Sequence, residues 1–172
     1  PLTHGLKGVS LSANWMWPAK NKGENARLYA AVEAVSDFVC KLGINIPTGK
    51  DSLSMTQKYP NGEVVLSPGT VIISAVGEVD DIRKTISPAL QPIIGSQLIY
   101  IDFSEDAFKL GGSSFAQIVN QLGTEAPTIT DETYFVKSFE AVQKLIKQNQ
   151  ILSGHDISSG GLITTLLEMC FP

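Results

Sequence analysis

An α/β fold in two layered domains is what this sequence predicts, and three observations predict it. Apolar or alternating segments recur along the chain, at Lys7–Ala13, Thr70–Val76 and Gln97–Asp102. Between them lie stretches with apolar residues at helical spacing, Glu24–Lys41 and Asp131–Gln148, and strands alternating with helices are the mark of α/β layers. The third is Ser87–Gly95, where Pro88 and Pro92 stand close together. Proline lacks a backbone donor and fixes φ, so this stretch makes neither a good helix nor an inner strand. It divides the chain into residues 1–86, a linker at 87–95, and residues 96–172.

The elements follow in order. Lys7–Ala13 alternates as a strand, and Asn14-Trp15-Met16-Trp17-Pro18 breaks the period into a loop. From Glu24 to Lys41, Leu28, Val32, Val35 and Val39 recur on one face, four alanines favour helix, and Gly43 closes it. Gly49-Lys50-Asp51-Ser52 opens a further segment, Leu53–Lys58, which the turn Pro60-Asn61-Gly62 sends back through Glu63–Leu66 as a hairpin. Thr70–Val76 reads as a buried strand. Gln97–Asp102 reads as a strand, Ser114–Leu122 as a short helix, and Asp131–Gln148 as a longer one with Phe135, Phe139, Val142, Leu145 and Ile146 on one face. Ile151–Ser153 is a brief strand, and Leu162, Ile163, Leu166, Leu167 and Cys170 form the stripe of a last helix.

Composition bounds the function. With 172 residues, 43% apolar and 17% charged, the chain is globular rather than disordered. It lacks the run of about 18 apolar residues that a membrane span needs and any basic-then-apolar leader, so a soluble cytoplasmic protein is expected. Lys+Arg 13 against Asp+Glu 17 gives −4 with no basic cluster, which leaves no electrostatic footprint for nucleic acid. Cys40 and Cys170 each sit in an apolar stripe and are expected as buried, reduced thiols.

Chemistry has four candidate places. At Gly154–Gly161, a strand end delivers Asp156, two serines and two glycines to a helix start. Unpaired N–H groups there favour an anion, and the Asp can hold the magnesium that accompanies a phosphate. The competing reading is that Ser158 or Ser159 caps the helix and Asp156 completes a turn. His155, with no second His nearby, reads as a hydrogen-bonded structural residue, or else as an acid/base or ligand. Gly49-Lys50-Asp51-Ser52 resembles the end of a phosphate loop, yet Ile44 stands where that loop needs glycine. Lys50 either contacts a phosphate as a point charge or is an exposed turn lysine. Trp15 and Trp17 line a pocket or cover a core edge. Leu110-Gly111-Gly112-Ser113-Ser114 is either a second anion cradle or a plain helix entry.

These residues together resemble one family, the large phosphoribosylformylglycinamidine synthases of purine biosynthesis. The matching pieces are Leu11–Met16, Gly23-Glu24, Gly49–Met55, Ser67-Pro68-Gly69 running into Val71–Ala75, Leu110–Ser113 and Gly154–Ser158, in the family's order across nearly the whole chain. The resemblance implies an ATP-dependent amidotransferase that converts formylglycinamide ribonucleotide, glutamine and ATP to the amidine. It also implies the middle of the second aminoimidazole ribonucleotide synthetase-like repeat, with the end of an N-terminal domain followed by the start of a C-terminal α/β domain. By the same resemblance Asp156 is a magnesium ligand and Ser158 contacts the nucleotide (ATP or ADP), while Lys50 and Asp51 match a conspicuous family motif. Lys50 is kept as a second nucleotide-contacting residue, and no catalytic residue is expected in this stretch. The site is an auxiliary Mg-nucleotide site, and the partners are the rest of the synthase chain and its glutaminase domain. Ser159 stands where the family often has Asp. The family's remaining magnesium ligands are expected before Pro1 and its glutaminase residues downstream, so the isolated stretch is expected to be inactive and to self-associate. The rival reading is a non-catalytic binding or dimerisation module of the same superfamily.

Overall fold

A computed structural model describes residues 1–171. The chain divides into two compact units, Leu2–Val79 and Asp80 onward, the latter including Pro1. The first mixes helices and strands as the α/β expectation requires, and the regular elements of the second, among the described residues, are helices.

The first unit is built on one βαβ crossover. Strand β1 (Val9–Met16) leads through helix α1 (Glu24–Leu42) to β2 (Asn45–Ser52), which pairs parallel to β1. Parallel neighbours need such a crossover because a tight turn can only reverse the chain. Gly43, at φ 71, ends α1 in the left-handed conformation, and its N–H meets the Cys40 carbonyl. Strands β3 (Thr56–Lys58) and β4 (Val64–Leu66) form the expected hairpin, with Gly62 at φ 87 in its turn. Strand β5 (Thr70–Gly77) then pairs antiparallel with β1, so the sheet order is β2-β1-β5. Ala13, Trp17, Pro18, Val39 and Leu42 are buried and form this unit's core.

Three expectations need correction here. Asn14, Trp15 and Met16 continue β1 instead of forming a loop, because they are paired on both sides, to Lys50–Ser52 and to Thr70–Ile72. Gly49–Ser52 ends β2 and is not a turn. Thr70–Val76 is a strand but not a buried one: as β5 it lies at the sheet edge, with Ile72 51% and Val76 69% exposed.

Among the described residues the second unit carries three α-helices, α2 (Ser114–Ile118), α3 (Glu132–Lys147) and α4 (Gly161–Glu168). Asp131 caps α3, accepting from the N–H groups of Thr133 at 2.7 Å and Tyr134 at 3.1 Å. Ser113 caps α2 through the Ala116 N–H at 3.1 Å. The connection before α3 is organised by polar bonds: Thr130 Oγ1 donates to the Ser104 and Glu105 carbonyls, and the Tyr134 hydroxyl donates to the Asp102 carbonyl. Lys109, 3.0 Å from Asp106, holds that carboxyl below the usual carboxylate range. The Pro-rich stretch is tied within this unit, since the Ser87 carbonyl accepts from Gly154 N–H and Leu90 N–H donates to the Met169 carbonyl.

Gln97–Asp102 and Ile151–Ser153 are not strands. A strand exists only where a neighbour accepts its backbone hydrogen bonds, and neither stretch has one among the described residues. Leu98 and Ile99 are accordingly 66% and 77% exposed. Cys40 and Cys170 are free, as expected, but both are exposed rather than buried. Among the described residues no helix is long and apolar enough to cross a membrane.

Candidate functional site

Two sequence motifs of the first unit meet as neighbouring strands. In the β1–β2 register, Ala13 faces Gly49, Asn14 faces Lys50, Trp15 faces Asp51 and Met16 faces Ser52. The pairing runs past the strand ends, with Trp17 N–H donating to the Ser52 carbonyl at 2.9 Å and Ala19 N–H to the Leu53 carbonyl at 3.1 Å. Glycine is required at position 49, because a Cβ there would fall 2.1 Å from the Ala13 carbonyl oxygen. Lys50 is exposed, and its ammonium donates to Ser52 Oγ at 2.8 Å and to the Asp51 carbonyl at 3.1 Å. An ammonium has three donors, so this placement leaves capacity for an anionic ligand while fixing where the charge stands.

Trp17 serves packing rather than a pocket. Its ring is buried against Gly69, where any Cβ would lie 2.4 Å from the indole, and Arg27 stands 6.0 Å from the ring centroid. That contact gives Ser67-Pro68-Gly69 a role: the glycine lets the chain entering β5 pass over the indole. Trp15 is half-buried.

The second unit holds Asp156, Ser158 and His155 on the corner before α4. The corner is fastened by Gly154 N–H to the Ser87 carbonyl at 3.1 Å and by Gly161 N–H to the Ser158 carbonyl at 3.0 Å. Gly160 is the N-cap of α4, with no side-chain capping bond. The capping alternative for Ser158 and Ser159 therefore fails, and both hydroxyls stay on the exposed corner. The Asp156 side chain is 90% exposed, so water or a cation reaches its oxygens freely. Its own carbonyl lies 3.5 Å from the hydroxyl of buried Thr165, which also donates to the Gly161 carbonyl at 3.2 Å.

The His155 ring lies between two carboxylates. Its Nδ1 is 3.3 Å from Asp156 Oδ1 and its Nε2 is 3.2 Å from Glu168 Oε2, at the end of α4. Glu168 is a residue that sequence reasoning missed. No fixed spacing links position 155 to position 168; only the fold of the corner against α4 brings them together.

The donor set suits an open magnesium site rather than a closed cage. Among the described residues no group of three His, Cys, Asp or Glu is arranged to hold a metal alone. Mg2+ is commonly bound through one or two carboxylates, with phosphate oxygens and water completing the octahedron, and one solvent-facing Asp fits that mode. Leu110–Ser114, the other glycine-rich entry, is a helix entry: Ser113 caps α2, while Gly111 N–H and Gly112 N–H donate to the Glu125 and Leu122 carbonyls. Lys50 belongs to the first unit, Asp156 and Ser158 to the second.

Comparison with known proteins adds the following. Residues 2–78 match the family described as FGAR-AT PurM_N-like domain, and residues 95–172 match AIR synthase related protein, C-terminal domain. A probable phosphoribosylformylglycinamidine synthase of Caenorhabditis elegans is 42% identical over 182 residues, covering 99% of this chain and 14% of its own length. A probable phosphoribosylformylglycinamidine synthase, chloroplastic/mitochondrial, of Arabidopsis thaliana is 43% identical over 169 residues, covering 96% of this chain and 12% of its own length. The chain thus spans a small part of the curated relatives it matches.

Proposed function

Since the chain belongs to the phosphoribosylformylglycinamidine synthase family, as an FGAR-AT PurM_N-like domain followed by an AIR synthase-related C-terminal domain, we propose that it is one segment of an ATP-dependent ligase of purine biosynthesis. In that reading the whole enzyme turns formylglycinamide ribonucleotide, glutamine and ATP into the amidine. This segment contributes nucleotide-binding residues and scaffold, not catalytic groups. Asp156 supplies an oxygen ligand to Mg2+ and Ser158 donates a hydrogen bond to the nucleotide, while Lys50, in the other unit, offers a positive charge to a phosphate group of its own. Bound magnesium would neutralise phosphate charge that otherwise repels the Asp156 carboxylate.

The observation that carries the reading is the Gly154–Ser158 corner. It holds a carboxylate almost fully open to solvent, on the loop that leads into a helix without a side-chain cap, and a solvent-facing carboxylate is the kind of ligand that an Mg-phosphate group recruits. The rest of the synthase chain, glutaminase included, is the proposed partner. A second reading, a non-catalytic binding or dimerisation module, draws on the exposed apolar residues of β4, β5 and Leu98–Ile101.

Calorimetric titration of the full-length synthase with Mg–ADP tests the first reading. Replacing Asp156 with Ala removes a hard oxygen ligand and should weaken binding strongly. Ser158→Ala should cost about 0.5–1.5 kcal/mol, one neutral hydrogen bond. Undiminished binding by the Asp156→Ala enzyme would remove Asp156 from the site.

A further inference from the structure

In a strand, residues two apart share a face and adjacent ones point to opposite sides. The β1–β2 register therefore places Ser12 and Asn14 on one face of the sheet with Thr48, Lys50 and Ser52. The Lys50 ammonium accordingly reaches Ser52 Oγ, two residues on, at 2.8 Å. Asp51 belongs to the opposite face, paired with Trp15. None of the residues that the two ladders put on the Lys50 face is acidic, and Lys50 makes no ion pair among the described residues. Directly across from Lys50 stands Asn14, on the middle strand of the sheet. Asn is depleted in strands, and the half-buried Asn14 side chain makes no hydrogen bond among the described residues, although its amide offers two donors. Departures of this kind from local preference are expected at functional sites.

We propose that Asn14 is a second phosphate-contacting residue: its side-chain amide donates to an oxygen of the phosphate group that the Lys50 ammonium attracts from the neighbouring strand. The inference rests on the reading of Lys50 as a phosphate contact and goes beyond it by naming the residue beside Lys50 and the sheet face on which the phosphate lies. Paired strands stand about 4.8 Å apart, so side chains from facing positions can reach two oxygens of one phosphate. The ammonium acts as a point charge, whereas the amide adds a directed bond. The pair thus attracts the group and orients it. Ser52 holds the ammonium on its own strand, which leaves the Asn14 amide for the ligand. The phosphate belongs either to a nucleotide or to a ribonucleotide substrate.

Calorimetry on the full-length synthase tests this with two phosphorylated probes titrated separately, Mg–ADP and formylglycinamide ribonucleotide. The probe that Lys50→Ala weakens more is the one that carries the phosphate. Asn14→Ala is expected to weaken that same probe by about 10–100-fold, as loss of a hydrogen bond to a charged group does, and to leave the other probe unchanged. Asn14→Asp keeps the size and shape of the side chain but sets a carboxylate beside Lys50, where it pairs with the ammonium and repels phosphate. It should bind the probe more weakly than Asn14→Ala does. A role in packing alone predicts the reverse order, since Asp fills the space that Ala leaves empty.

Equal losses for the two probes in Asn14→Ala, binding by Asn14→Asp as tight as or tighter than that by Asn14→Ala, or wild-type binding by both variants would each overturn the proposal. The Lys50→Ala control separates this from failure of the underlying reading. If that variant binds both probes as wild type, the phosphate role of Lys50 falls and that of Asn14 falls with it. If it binds one probe weakly while the Asn14 variants bind normally, only the role of Asn14 falls.

Discussion

Gly49 shows how a single position decides geometry at the residue scale. Its neighbour across the ladder is the Ala13 backbone, and a Cβ would stand 2.1 Å from that carbonyl oxygen and 3.1 Å from its carbon. Backbone atoms cannot step aside as a flexible side chain does, so Gly49→Ala should push β2 from β1 and destabilise the first unit by about 1–3 kcal/mol or more. A urea-unfolding midpoint unchanged from wild type would refute this. Lys50 should move with the strand, since its neighbours Ser52 and Asp51 define where its ammonium stands. The sequence showed the motif and its departure from a phosphate loop. It did not show that the glycine serves strand packing, because the atom it avoids lies far away along the chain.

Capping separates the helices at the scale of the element. Asp131 is bonded to two N–H groups in the first turn of α3, which also places a negative charge at the positive end of the helix dipole. Asp131→Ala should cost about 1 kcal/mol, within a usual range of about 0.5–2, while Asp131→Asn should keep most of the cap. Equal unfolding midpoints for wild type and the Ala variant would contradict this. Helix α4 has no such side chain, so Ser158→Ala is expected to act on ligand binding rather than on helix stability. Helices α1, α3 and α4 were legible in sequence because a helix satisfies its hydrogen bonds locally, and its caps and periodicity are written within a few turns. Gln97–Asp102 has equally strong strand character, yet forms none, because strand bonds must be met by another segment.

The chain as a whole exposes 12326 Å2. Two separate globules of about 9 kDa each would together expose only about 9,900 Å2. The difference is on the order of 2,400 Å2, the scale of a large, obligate interface. Much of what is exposed is apolar, including Ile94, Ile99, Phe108 and Ile118 in the second unit and Val76 in the first. Strand β5 adds an open sheet edge, which invites pairing with another chain. The isolated chain is therefore expected to self-associate. Sedimentation showing a compact monomer at about 100 μM, inside the micromolar-to-millimolar range in which exposed hydrophobic surface drives aggregation, would overturn that.

What the sequence determined by itself was the class of fold, the three longer helices, the β3–β4 hairpin and the family. Each depends on periodicity, turn chemistry or an ordered set of motifs, all carried by residues close together in the chain. Only the tertiary structure decided that Asn14–Met16 belongs to a strand, that Gly49 meets Ala13, that Trp17 rests on Gly69, and that Glu168 lies beside His155. It also decided which apolar strand finds a partner and which does not. The physical reason is the same throughout: a backbone donor, an indole face or a carboxylate is satisfied by whatever lies against it, and residues remote in sequence become neighbours only through the fold.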